Sequence, residues 1–174
     1  MIKSDKICLR YFEISDIENK VKWINDSKNN EFLHYDIPIN YEGTLNWFLN
    51  KQKNREDFVI EYEESPVGVI GLINIDNYNK KAEYYITIGS HEHKRKGIAS
   101  GSSLLLLRHA FEELGLNKVY LNVDADNTSA CKLYEKIGFK CEGTFKDELF
   151  FRGKFIDRKR YAFLYKEWIK VEED

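Results

Sequence analysis

The sequence predicts one mixed α/β domain over residues 1–174. Two observations carry this. The hydrophobic pattern changes period several times, from strand-like alternation to helical spacing and back. The chain of 174 residues, 43% hydrophobic and 14% aromatic, is also long enough for one real core and too short for two large ones. The same arithmetic excludes other classes. Ten glycines and two prolines rule out a collagen-like or linker-dominated chain. Lys plus Arg number 27 against 29 Asp plus Glu, and a net charge of −2 argues against a nucleic-acid coat. The longest purely apolar stretch, around Leu104 to Leu107, is far short of a membrane span. Cys8, Cys131 and Cys141 fit neither a zinc site nor a Cys-x-x-Cys pair, and read as apolar filler in a reducing compartment. Met1 to Lys6 carry no apolar run of signal type, so the expected address is the cytoplasm.

Each element has its own reason. Ile7 to Tyr11 alternates as a short strand. Ser15, with Glu18 three residues on, makes a capping box for a helix to about Asn25. Asp26 to Asn40 is rich in Asn and Asp and reads as a loop. Leu45, Phe48 and Leu49 put a second helix over Tyr41 to Lys53. Phe58 to Tyr62, Val67 to Ile75 and Ala82 to Ile88 are strand-like with short connections, hence an antiparallel meander. Past Gly97, Leu104, Leu107, Phe111 and Leu114 share one helix face, and Gly115 suits the C-cap. Val119 to Val123 is a short strand. Asn127 caps a helix through Ala130, Leu133, Tyr134 and Ile137 that Gly138 ends. Lys140 to Phe151 and Phe155 to Tyr165 are two last strands joined at Arg152-Gly153, and Val171 to Asp174 is a frayed, solvated tail.

The chemically informative stretch is His91 to Gly101, between a strand and a long amphipathic helix. A turn there directs free backbone N–H groups outward at the positive end of a helix dipole, which suits an anion. Gly97 permits close approach, and Ala99, Ser100 and Gly101 are small. Lys94, Arg95 and Lys96 add positive charge, so the segment suits a pyrophosphate with a further phosphate nearby. An ordinary solvated basic turn is the alternative. His91-x-His93 lacks a third ligand at a convincing spacing, so no metal is expected.

Lys94-Arg95-Lys96-Gly97-Ile98-Ala99, opening a helix after a strand, resembles the first motif of the GNAT superfamily of acyl-CoA-dependent N-acetyltransferases. Asn127-x-x-Ala130-x-x-Leu133-Tyr134-x-x-Ile137-Gly138-Phe139, then Glu142-Gly143, is similar to the family's second motif. Lys94 departs from the usual Arg or Gln, and Arg95 from a common Gly. Because backbone N–H groups make most of the phosphate contacts, these changes weaken the match more than the binding. The resemblance implies a single-domain GNAT fold, a mixed and mostly antiparallel twisted sheet flanked by helices. It implies acetyl-CoA as co-substrate, without a metal, in a cleft between the Tyr84-to-Gly89 and Val119-to-Val123 strands. Thr87, Ile88 and Gly89 would then hydrogen-bond the pantetheine, and Lys94, Arg95, Lys96, Gly97, Ile98, Ala99 and Ser100 would hold the pyrophosphate. Asn127 and Tyr134 complete the implied co-substrate site.

An amine attacks a thioester only when neutral, so the reaction needs a base, and an acid for the departing thiolate. Tyr134, two helical turns past Asn127 on the same face, is the expected acid, with a half-buried helix aromatic as its plain reading. For the base, some relatives place a glutamate where this chain has Asn122, which takes no proton. Glu83 is the remaining carboxylate on the central strands, with a surface role opposite Lys81 as the alternative. His91 and His34 stand in reserve.

The acceptor is a small-molecule amine. Val21 to Asp26, Gly68 to Asp76 and Gly143 to Trp168 resemble the branch that includes acetyltransferases of amino-sugar nucleotides, such as that of the pseudaminic acid pathway, close to the ribosomal-protein N-terminal and polyamine acetyltransferases. Trp23, Phe32, His34, Tyr35, Trp47 and Phe48 could stack on a sugar or base, which favours an amino-sugar nucleotide. A protein N-terminal amine, a polyamine, and a CoA-binding module without turnover are the alternatives. Neither nucleic acid nor membrane is an expected partner, and pairing of the exposed final strands would give a homodimer.

Overall fold

The computed structural model describes residues 1–93 and 96–173, the side chains of 170–173 apart. The chain runs β1 (Ile2–Lys3), β2 (Ile7–Tyr11), α1 (Ile17–Asn25), α2 (Tyr41–Leu49), β3 (Glu56–Tyr62), β4 (Ser65–Asp76), β5 (Lys81–Ile88) and α3 (Ile98–Arg108). It continues as β6 (Lys118–Asp124), α4 (Thr128–Ile137), β7 (Lys140–Phe151), β8 (Lys154–Leu164) and α5 (Tyr165–Glu173). The strands form one eight-stranded sheet in the order β1-β2-β3-β4-β5-β6-β8-β7. The pairs β1–β2, β2–β3, β3–β4, β6–β8 and β7–β8 are antiparallel, whereas β5 and β6 run parallel. This is the mixed, mostly antiparallel sheet flanked by helices that the sequence leads one to expect. Among the described residues no helix is long and apolar enough to cross a membrane. By its contacts the chain divides into two compact units, Met1–Asn74 with Tyr85–Leu106, and Ile75–Tyr84 with Leu107–Asp174.

In the first unit, Phe12, Ile17, Trp23, Val59 and Val69 form a core against which Val21, Leu45, Trp47, Phe48 and Tyr85 pack. The first helix starts differently from expectation. A short tight turn over Ile14–Asp16 precedes α1, and the box is closed by Asp16, whose Oδ2 accepts from the Glu13 N–H at 2.9 Å. Ser15 and Glu18 are not the cap pair. The reason is tertiary: Arg10 donates to both Asp16 oxygens, at 2.7 and 2.8 Å, and fixes the buried carboxylate one residue past the expected cap. α2 is also shorter than its pattern, ending at Leu49 and not Lys53.

Three of the six aromatics offered above as a stacking platform, Trp23, Trp47 and Phe48, serve the core of this unit, while Tyr35 is exposed. Trp23 is buried and Trp47 lies edge-on to Phe12 with ring centroids 5.8 Å apart. The Lys20 ammonium stands 3.2 Å from the Trp47 ring centroid, and the Arg55 guanidinium lies 5.0 Å from it. The protein's own cations thus cover the ring a sugar would need. Burial pushes the Lys20 ammonium down to about 8, against the opposing pull of Asp57. Asp57, itself 1% exposed, accepts from Arg55 and from the Tyr85 hydroxyl, the latter at 2.7 Å.

In the second unit the aromatics Phe111, Phe139, Phe163 and Trp168 pack together, with Phe139 edge-on to Phe163 at 5.6 Å. Past Arg108 the helix widens into a π-turn over His109–Glu113, where the Leu114 N–H reaches back to the His109 carbonyl at 3.0 Å. The buried face is Leu106, Leu107, Ala110 and Phe111, while Leu104 is 37% exposed, contrary to its spacing. Gly138, at φ 116°, closes α4, and Arg152 and Gly153, at φ 48° and 81°, make the hairpin turn. The last element overturns an expectation. Residues 165–173 form α5, so 171–173 of the expected frayed tail are helical and Asp174 lies outside the described residues; Trp168 of this helix is buried and its Nε1 donates to Glu112 at 3.0 Å. A two-residue β1 is likewise added at the start.

One consequence concerns Lys20. Between pH of about 8 and its ordinary value of 10.5, the folded chain lacks a proton that the unfolded chain still holds, so stability from this group rises with pH. Compared with Lys20→Met, the parent gains about 2–3 kcal/mol between pH 7 and pH 10 by denaturant unfolding. A difference that does not change with pH would refute this.

Candidate active site

The site residues fall in both units, and each set is built by its own elements. In the first unit, β5 ends at Ile88, and the chain turns through Gly89 and Ser90, whose N–H groups both donate to the Val67 carbonyl, at 2.9 and 3.1 Å. The Gly89 carbonyl accepts from Asn29 Nδ2 at 2.9 Å. Gly89 therefore has its N–H committed within the fold. Glycine is required here for space, since a Cβ would stand 1.9 Å from Trp23 Cγ. Thr87 and Ile88 are half-buried at the end of the strand.

His91 and His93 follow in one tight turn and point to different partners. His91 Nε2 lies 2.8 Å from Asp26 Oδ2, and His93 Nδ1 lies 2.8 Å from Ser90 Oγ. The Asp26 carboxyl is held below its ordinary value, first by the Lys28 N–H and then by His91. Among the described residues no three His, Cys, Asp or Glu side chains gather to hold a metal. Lys94 and Arg95 lie outside the described residues. The Lys96 ammonium is 5.7 Å from the Tyr62 ring centroid. Gly97 has φ 76°, a conformation that disfavours any other residue, and nothing lies within 4 Å of where its Cβ would be. Its carbonyl accepts the first bond of α3, from the Gly101 N–H at 2.9 Å. Ile98 is buried and anchors the helix, and the first-turn amides of any helix lack an intrahelical acceptor. An open backbone at the positive end of an eleven-residue helix fits a phosphate group.

In the second unit, the Asn127 side chain caps α4, its Oδ1 accepting from the Ala130 N–H at 3.1 Å. Two turns on, Tyr134 is 9% exposed, and its ring lies edge-on to Tyr84 with centroids 6.0 Å apart. Burial, and then Cys131, push its phenol up to about 12. The hydroxyl accordingly stays protonated throughout the neutral range and can act as a donor.

Glu83 belongs to the same unit. β5 alternates, with Ala82 and Tyr84 buried on one face and Glu83 half-buried on the other. The parallel ladder with β6 pairs Lys81↔Lys118, Ala82↔Val119 and Glu83↔Tyr120. The Glu83 carboxylate accepts from Asn122 Nδ2 at 3.0 Å, and Asn122 Oδ1 accepts from Arg160 Nε at 3.1 Å. The residue dismissed from the sequence as unable to take a proton is thus hydrogen-bonded to the candidate base. Polar alternation at Tyr120, Asn122, Arg158 and Arg160 was the available signal. It lacked the β6–β8 register, which sets Asn122 opposite Arg160.

The comparisons with known proteins agree with this arrangement. The family model of the acetyltransferase (GNAT) domain matches residues 6–140. Spermidine N(1)-acetyltransferase of Escherichia coli is 32% identical over 135 residues, 78% of this chain and 72% of that one. A Bacillus subtilis chain provisionally described as a ribosomal N-acetyltransferase is 38% identical over 109 residues, 62% of this chain and 58% of its own. The crystal structure of Vibrio cholerae spermidine N-acetyltransferase in complex with CoA and spermine superposes with a TM-score of 0.84 at 27% identity, over 95% of this chain and 99% of that one. With the family's domain covering most of its length, the chain belongs to the GNAT acetyltransferases and transfers an acetyl group from acetyl-CoA to an amine.

Proposed function

We propose that the acceptor is a primary amine of a polyamine. The observation that carries this reading is the near full-length likeness to the Vibrio cholerae enzyme in complex with CoA and spermine, supported by the Escherichia coli relative named for spermidine. The amino-sugar nucleotide loses its main support, because Trp23 and Trp47 serve the core of the first unit and Lys20 covers the Trp47 ring. A protein N-terminal amine is the second reading, favoured by the Bacillus subtilis relative. Against it, Asn122 stands where the resemblance gives such enzymes a glutamate.

Acetyl-CoA is held, in this reading, with its pyrophosphate on the amides of Gly97 to Ser100, aided by Lys96 and by Lys94 and Arg95 of the sequence motif. By the family resemblance, Thr87 and Ile88 serve the pantetheine, and Asn127 and Tyr134 the thioester end. A polyamine reaches the enzyme largely as ammonium, which has no lone pair to donate. Glu83 accepts the ammonium proton, and the freed nitrogen attacks the thioester carbonyl. The carbon–sulfur bond then breaks as the Tyr134 hydroxyl hydrogen-bonds the sulfur, and the second proton of the acylated nitrogen passes to solvent, so that the products are the acetamide and the thiolate. A phenol raised to about 12 is a weaker acid than the thiol it serves, so its contribution is a hydrogen bond that strengthens with the leaving charge.

Thiol release from acetyl-CoA with spermidine, spermine, an N-terminal peptide and a 4-amino-sugar nucleotide tests the acceptor. Release with a polyamine should exceed the others by about tenfold in kcat/KM, a modest specificity for one pocket. A preference for peptide or sugar nucleotide would overturn it. Tyr134→Phe should lower kcat by roughly one to two orders of magnitude with acetyl-CoA affinity nearly intact by titration calorimetry. Full activity of that variant across pH would remove Tyr134 from the mechanism. Glu83→Gln should shift or abolish the acidic limb of the kcat profile, and an unchanged profile would assign the proton to another group.

A further inference from the structure

We infer that Asn122 and Arg160 are positioning residues for the Glu83 base: Arg160 locks the Asn122 carboxamide in one orientation, and the locked amide N–H₂ aims the Glu83 carboxylate at the acceptor nitrogen. The inference rests on the base reading of Glu83 and extends it to groups that touch no reacting atom.

The geometry leaves little freedom. A guanidinium has only donors, so the Asn122 oxygen must face Arg160 Nε, at 3.1 Å. That leaves Nδ2 for Glu83, 3.0 Å away, and an ionised carboxylate has only acceptors. Reversing the amide would set two donors and two acceptors face to face. Arg160 is itself held, with its guanidinium 4.9 Å from the Tyr120 ring and 5.1 Å from the Phe145 ring. The Asn122 backbone is fixed too, since its carbonyl accepts from Arg158 Nη2 at 2.9 Å. Every member sits on a paired strand, where register holds Glu83 opposite Tyr120 and Asn122 opposite Arg160. A loop-borne partner would not hold the carboxylate to the few tenths of an ångström that proton transfer requires.

Of the charged and titratable groups around this carboxylate, Tyr120 of β6 stands opposite it in the ladder, and Arg160 of β8 and Asp76 at the end of β4 act with it on the Tyr120 phenol. Burial, and then the charge of Glu83, raise the Tyr120 phenol, as expected of a nearby ionised carboxylate. An amide donor favours the ionised form of the acid it meets, and ionised is the form a base must have to accept a proton.

The test measures kcat against pH at saturating acetyl-CoA and spermidine, for the parent, Asn122→Leu, Arg160→Met, Glu83→Gln and the double variant of Asn122 and Glu83. Asn122→Leu keeps the side-chain volume and should lower kcat by about tenfold, the scale of a hydrogen bond to a charge. Arg160→Met, which keeps the aliphatic cover on Tyr120, should lower kcat by less. In the Glu83→Gln background the Asn122 change should cost less than about twofold, as expected of groups acting as a unit. Thermal midpoints guard against simple unfolding, and Arg160→Met keeps the test open if Asn122→Leu does not fold. A slow Glu83→Gln enzyme beside an unchanged kcat in Asn122→Leu, or equal Asn122 effects in both backgrounds, overturns the positioning role alone. A Glu83→Gln enzyme of full kcat overturns the base reading and this inference with it.

Discussion

The parallel pairing of β5 with β6 is the constraint from which the rest of the chemistry follows. Two adjacent parallel strands cannot be joined by a tight hairpin, so the chain must travel back along the sheet before the second can begin. Here α3 makes that return, and its direction is forced. The helix has to start where β5 ends, so an amide-rich first turn follows the carboxyl end of a strand. The glycine at the turn, Gly97 at φ 76°, and the small residues after it are what the close approach of an anion demands. The same pairing also sets Glu83 opposite Tyr120, on the face where β8 then delivers Arg160 to Asn122. The candidate anion site and the proposed base thus descend from one topological choice.

What could be read from the residues alone divides along physical lines. Strong local signals were legible: the Asn127 cap, the Gly138 stop, the Arg152-Gly153 hairpin and the alternating strands from Glu56 to Ile88 are each fixed by neighbours in sequence. Where a distant group decided the outcome, local reading went astray. Arg10 drew the start of the first helix toward Asp16. The burial of Trp168 against Glu112 stabilises a terminal helix of nine residues that spacing alone left marginal. Leu104 keeps its apolar character and is 37% exposed, while Ser102 and Ser103 are fully buried beside it. Ser103 Oγ bonds back to the Ala99 carbonyl at 2.6 Å, which lets a small polar side chain occupy a core-facing position.

The aromatic residues of the first unit show why composition is a poor guide to ligands. Six of the rings between Trp23 and Phe48 were compatible with stacking on a sugar or base, although the helical spacing of Trp47 with the Leu45-to-Leu49 face also suited a core. The structure assigns Trp23, Trp47 and Phe48 to a core in which cations from the same chain, Lys20, Lys51 and Arg55, lie against the Trp47 and Phe48 faces. A buried ammonium is costly unless charge and hydrogen bonds meet it, and Asp57 supplies the charge, held in turn by Arg55 and Tyr85. A ring already facing an internal cation offers no face to an incoming sugar.

Chemistry and acceptor choice are therefore written in different kinds of feature. The acid, the proposed base and its two supports occupy α4 and the paired strands, where one residue of slip would turn every side chain to the other face. Such positions leave recognisable sequence, because the backbone geometry admits few alternatives. Acceptor choice has no comparable motif: a long flexible amine can be met by carboxylates at many spacings on loops of many lengths. That contrast explains why the reaction class was legible from Lys94 to Ala99 and Asn127 to Phe139, whereas the choice of amine turned on full-length likeness. It also explains the reading of Asn122. Taken as a lost base, the residue appeared to weaken catalysis, but between a donor-only guanidinium and an acceptor-only carboxylate an amide is the side chain that satisfies both. A glutamate at that position would set two carboxylates against each other, so the choice of Asn at 122 and the choice of Glu at 83 are one requirement.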